Sequence, residues 1–132
     1  MELVKIHIRT HMKEQNQILE QNCSGKLFPK GEGWYLVYKE DLGENQLVST
    51  TMKLSAEMVT IIRTGAIRMR QEYIVGQWTE GKYEGPFGVM WMETRTESIE
   101  VSEHRVSMKY QLKLNGDHLG HYAVDMKMEG IS

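Results

Sequence analysis

Cysteine, proline and phenylalanine are nearly missing: one, two and two respectively in 132 residues. The lone Cys23 excludes an internal disulfide and a zinc site built on cysteines. Pro29 and Pro86 stand alone, so no proline-rich linker divides the chain, and neither a low-complexity segment nor a fixed-period repeat is visible. A single domain over residues 1–132 is expected. Charge of neither sign dominates. Sixteen Lys+Arg stand against eighteen Asp+Glu, for a net charge of −2, and the two signs are interspersed. That excludes a basic face for nucleic acid or an anionic membrane. No apolar run approaches the roughly 18 residues a spanning helix needs. The opening MELVKIHIRTHMKE has no uncharged core of a secretory signal. These absences together point to a reducing cytoplasm, with neither nucleic acid nor membrane as partner. Convincing amphipathic helices are also missing; residues 53–62 come nearest to one.

What is present is strand and turn. Val4, Ile6 and Ile8 alternate with Lys5, His7 and Arg9 over residues 2–12. Further strands are expected at 17–26, where the pattern is poor, and at 34–39, 47–54 and 58–64. They continue at 66–75, in a short segment ending at Tyr83, and at 89–101, 105–114 and 122–128. Residues 34–38 and 89–92 are apolar on both faces, so both faces need cover. Asn115-Gly116 reads as a two-residue type I′ turn. Such a turn would set Tyr110 opposite His121 and mix the faces. Parity therefore requires either a three-residue loop or a bulge at Gly120, and both remain open. About nine or ten short strands imply an all-β fold, a closed antiparallel barrel in which each strand pairs with its neighbours in sequence. Such a barrel is either filled by side chains or holds one small ligand.

The densest chemistry lies in IRTGAIRMRQEYIVGQWTEGKYEGPFG, residues 62–88. Read at period two, Ile67, Met69, Gln71, Tyr73 and Val75 share one face, and Arg68, Arg70, Glu72 and Ile74 the other. Arg63 ends an apolar run. If it shares the face of Val59 and Ile61, its guanidinium points inward and must be paired or bind something. The alternative is a pairing with a glutamate, or a rim position with the head in water. The run Arg63-Thr64-Gly65-Ala66-Ile67-Arg68-Met69, with Tyr73, Gly76, Tyr83, Phe87-Gly88, Thr94 and Thr96, resembles the YwiB-like family of uncharacterised bacterial proteins. The resemblance implies a calycin- or lipocalin-like closed barrel of about eight to ten strands, and no activity. Better-known calycins take small apolar ligands inside the barrel, which is an analogy of fold alone.

Catalytic and metal chemistry is not legible. His7 and His11 are four apart on a strand, roughly 13 Å, too far to share an ion. His118 and His121 would face opposite ways in a regular strand. Cys23 sits in Glu20-Gln21-Asn22-Cys23-Ser24 with no base beside it. No nucleophile elbow, phosphate loop or dinucleotide fingerprint occurs. No catalytic residue, metal ligand or cofactor is therefore assigned. The expected function is a non-catalytic module binding a small amphiphilic or anionic molecule in or at the mouth of the barrel. Arg63 would meet the head group, and Gln71, Tyr73 and Tyr83 would supply polar and aromatic contacts. The alternative is a filled barrel acting as a structural or interaction protein, with a homodimer as its assembly. An enzyme ranks last.

Overall fold

A computed structural model describes residues 1–131. Ten strands follow one another: β1 (Glu2–Met12), β2 (Gln17–Lys30), β3 (Gly33–Asp41), β4 (Leu47–Leu54), β5 (Met58–Gly65), β6 (Arg68–Ile74), β7 (Trp78–Gly85), β8 (Gly88–Ser102), β9 (Arg105–Leu114) and β10 (Asp117–Gly130). Each pairs antiparallel with its neighbours in sequence, and β1 closes on β10, so the sheet is a complete barrel. No described residue is helical; residues 53–62 are the end of β4, a turn and the start of β5.

Alternation decides which side chains go in. Val4, Ile6 and Ile8 are buried while Lys5 and Arg9 are exposed, and Val106 and Met108 are buried beside an exposed Lys109. The half of the barrel nearest the chain termini is filled. Val4, Ile6, Leu27, Leu36, Leu54, Val59, Val106 and Met128 form its core, each no more than 3% exposed. Each such side chain contributes about 1.5–3 kcal/mol on leaving water.

At the far end, the β9–β10 connection resolves the parity question. Asn115 and Gly116 both have positive φ (50° and 86°), as a type I′ turn requires, and Leu114 faces Asp117. The register then shifts between His118 and Gly120, whose φ of 139° suits a residue without Cβ. The bulge restores parity, so Tyr110 faces Tyr122 with rings stacked 5.5 Å apart. It also turns His118 and His121 to one side, 5.8 Å between rings, where an unbroken strand would have opposed them.

Glu14 pins the β1–β2 turn onto this bulge, accepting from the His121 backbone N–H at 2.7 Å and meeting its ring Nδ1. The hydrogen bond from the His121 side chain, then that from its backbone, holds the Glu14 carboxyl down at about 2 from 4.5. A carboxyl lowered on folding stabilises above its unfolded pKa and loses that contribution as pH falls through the folded value. The stability difference between wild type and Glu14→Gln is therefore expected to be full at about pH 5.5 and nearly gone at about pH 2. Urea midpoints at the two pH values check this.

Candidate functional site

Two places interrupt the wall of the barrel. The first is between β2 and β3. They pair only over residues 25–30 and 33–38, although β2 begins at Gln17 and β3 runs on to Asp41. Beyond Gly25 and Tyr38 the strands part, leaving a slot of about 380 Å³ flanked by Gln21, Asn22 and Cys23 on one side and Lys39, Glu40 and Asp41 on the other. The poor pattern of residues 17–24 follows from this. Pairing with β1 continues along them, but they have no neighbour on the other side, and all of them except Cys23 are exposed.

The second interruption is between β6 and β7, which pair only over residues 68–70 and 82–84. Gln71 fills the gap below. Its amide donates to the Thr79 and Thr94 hydroxyls, both at 3.0 Å, and to the Glu72 carbonyl at 2.8 Å. Gly81 gives the Gln71 side chain its room, since a Cβ there would collide with Gln71 Oε1 and lie 2.7 Å from the Arg70 carbonyl.

Behind the slot, in the far half of the barrel, lies a cavity of about 240 Å³. Gln21 and Glu40 line both slot and cavity, so the two adjoin at these side chains. Met52, Met69, Met108 and Met126 contribute four of the chain's ten methionines to its wall. Methionine is flexible and polarisable, and a wall rich in it adapts to an occupant. Arg63 stands on the inward face with Val59 and Ile61, opposite Thr50 on β4 and Met69 on β6. Its Nη2 donates to Glu40 Oε2 at 3.0 Å, and the Thr50 hydroxyl donates to Glu40 Oε1 at 2.9 Å. The pair is largely withdrawn from water, with side chains 20% and 12% exposed. Arg63 Nε is buried with no hydrogen-bond partner among the described residues.

Tyrosines complete the polar inventory. Tyr38 lines the cavity, with the Met52 sulfur 4.0 Å from its hydroxyl and the Thr50 side chain also within reach of it. Burial and then the Glu40 charge push its pKa up, so it remains a phenol and a donor. Tyr110 lines the cavity between Tyr73, 5.0 Å away, and Tyr122. Burial raises Tyr73 to about 12 and Tyr110 well above its ordinary value.

Of the four residues expected from sequence, Arg63 lies in the cavity wall. Tyr73 is one ring behind it, packed on Tyr110. Gln71 is spent on the β6–β7 seam, and Tyr83 is half-buried on β7 opposite Met69. Glu40 lies just past the third strand expected from sequence, which ends at Lys39. Carrying the period of Trp34, Leu36 and Tyr38 two residues further would have turned Glu40 inward. Cys23 is half-buried by the slot; burial first and the Glu40 charge second raise its thiol pKa, the opposite of an activated nucleophile. Residues 89–92 are not covered on both faces: Val89 is 47% and Trp91 60% exposed on the outer wall. Over residues 34–38 the outward Tyr35 is half-buried, with the Lys30 and Lys53 ammonium groups over its ring.

The model of one protein family, described as a domain of unknown function, DUF1934, matches residues 4–126. The chain belongs to the DUF1934 family. A curated relative is the uncharacterized beta-barrel protein YwiB of Bacillus subtilis, 29% identical over 126 residues, covering 89% of this chain and 86% of the relative. The crystal structure of that organism's ywiB protein superposes with a TM-score of 0.78 at 24% identity, over 99% of this chain and 93% of that one. The chain and the Bacillus subtilis protein thus share the β-barrel fold.

Proposed function

We propose that this DUF1934 chain is a non-catalytic binding module that holds a small amphiphilic molecule in the far half of its barrel. One observation carries the reading: an inward-facing, partly desolvated Arg63–Glu40 pair stands over a methionine-walled cavity that adjoins the slot between β2 and β3. A filled structural barrel has no use for charges there, since desolvating them costs several kcal/mol that apolar side chains would not. Arg63, Tyr38 and Tyr110 supply the polar contacts, with Tyr73 holding Tyr110 in place and Gln71 and Tyr83 supporting the wall. The occupant is polar at one end and apolar at the other, as in calycin barrels by analogy of fold. The cytoplasm suits a chain whose one thiol is half-buried and unactivated.

Native mass spectrometry of gently purified protein, beside a denatured control, tests the reading. A reproducible extra mass is expected in the wild type and lost on denaturation. Val124→Phe, which fills the cavity and leaves the ion pair intact, is expected to carry none. Extra mass retained by Val124→Phe would place the molecule elsewhere and overturn the reading.

The exposed outer patch of Phe87, Val89 and Trp91 favours a second reading, an interaction surface for another copy of the chain. Under that reading a dimer without added mass is seen, and Trp91→Lys abolishes it.

A further inference from the structure

Resting on the cavity reading above, we infer that the head group held there is electrically neutral and carries both a hydrogen-bond donor and an acceptor, as a carboxamide does. The charge of the wall selects for such a group. Thirteen residues line the cavity, and the only ionised ones are Arg63 and Glu40, whose charges cancel. Both are committed. Glu40 spends one oxygen on Arg63 at 3.0 Å and the other on the Thr50 hydroxyl at 2.9 Å. A ligand carboxylate accepting from Arg63 Nε sets a second negative charge beside Glu40, a carboxylate of 12% exposure that already takes the guanidinium as its counter-charge. An ammonium group faces the converse, since Glu40 is already paired. A neutral group disturbs neither. It can donate to a free lone pair of Glu40 and accept from Arg63 Nε, the buried donor that has no partner among the described residues.

Glu40 also fixes where the head sits. It lines both the slot and the cavity, so the head lies at the inner lip of the slot. The apolar part then points toward Met52, Met108 and Met126, against the filled half of the barrel. An arginine alone would have selected an anion; it is Glu40, two residues beyond Tyr38 on the same strand face, that reverses the selection.

The test compares heptanamide, heptanoate and heptylamine, three probes alike in tail and different in head charge. Affinities are read by titration at neutral pH on the wild type and on Glu40→Gln. The wild type is expected to bind heptanamide about tenfold or more tightly than either ion, the scale of one hydrogen bond to a charged group. In Glu40→Gln, Arg63 is left unneutralised, and heptanoate is expected to become the tightest of the three. If Glu40→Gln does not fold, the wild-type ranking alone decides. Heptanoate binding wild type tightest, or all three binding equally, overturns the neutral-head inference and leaves the cavity reading standing. Failure of all three to bind the wild type overturns both.

Discussion

Arg63→Ala is expected to destabilise the protein by about 2–4 kcal/mol, whereas removing Arg63 and Glu40 together, as Arg63→Met with Glu40→Leu, is expected to cost about 1 kcal/mol or less. The asymmetry follows from burial. Glu40 and Arg63 are 12% and 20% exposed and satisfy each other at 3.0 Å. Deleting the guanidinium strands a desolvated carboxylate, with only the Thr50 hydroxyl still donating to it. Deleting both charges removes the desolvation cost along with the attraction, and the apolar replacements pack among Met52, Ile61 and Met69. Denaturant unfolding of the two single variants and the double variant measures the coupling as a cycle. Additive effects would mean the pair does not interact in solution. The same cycle separates stability from binding, since the double variant should fold normally while losing its preference among head groups.

A comparable loss is expected from a single methyl group on the opposite side of the wall. Gly81→Ala places a Cβ against the Gln71 amide oxygen and 2.7 Å from the Arg70 carbonyl. To accommodate it, Gln71 has to leave the Thr79 and Thr94 hydroxyls, and that seam has no backbone ladder to fall back on beyond residues 70 and 82. Crowding together with the lost buried hydrogen bonds amounts to about 2–4 kcal/mol. Because Gln71 is the obstacle, Gln71→Ala combined with Gly81→Ala is expected to cost less than the two changes summed. The Arg70 carbonyl is backbone and cannot withdraw, so the rescue is partial. Thermal unfolding of the three variants decides the matter; full additivity would show that Gly81 and Gln71 act independently.

Most of the barrel was legible because alternation reports burial directly. β1, β4 and β9 were read to the residue, since each is paired along its whole length and one face of each is core. The bulge at Gly120 was one of two ways to reconcile Asn115-Gly116 with face parity, and the positive φ of both turn residues selects it. The least legible strand was β2, for the reason that makes it interesting: beside the slot it has no neighbour to impose a pattern. The place of Arg63 after Val59 and Ile61 allowed an inward or a rim position, and pairing with a glutamate was one alternative, but which glutamate was not legible. Glu40 is 23 residues away in sequence, across β4, and pairing at that distance leaves no local trace. The role of Gln71 was equally hidden. A glutamine on an apolar strand face reads as a ligand contact, and only the missing β6–β7 ladder shows why the wall itself needs its amide.

The most direct test of the account is a methyl NMR titration of protein labelled at its ten methionines, with heptanamide as the probe. The methyl signals of Met52, Met69, Met108 and Met126 are expected to shift together, with one affinity, while those of Met1 and Met58, which are 68% and 40% exposed, stay in place. Val124→Phe should abolish the shifts. Movement of Met1 or Met58 with the cavity methionines unmoved would contradict the claim that the far half of the barrel is a binding site, as would a spectrum that does not respond to the probe.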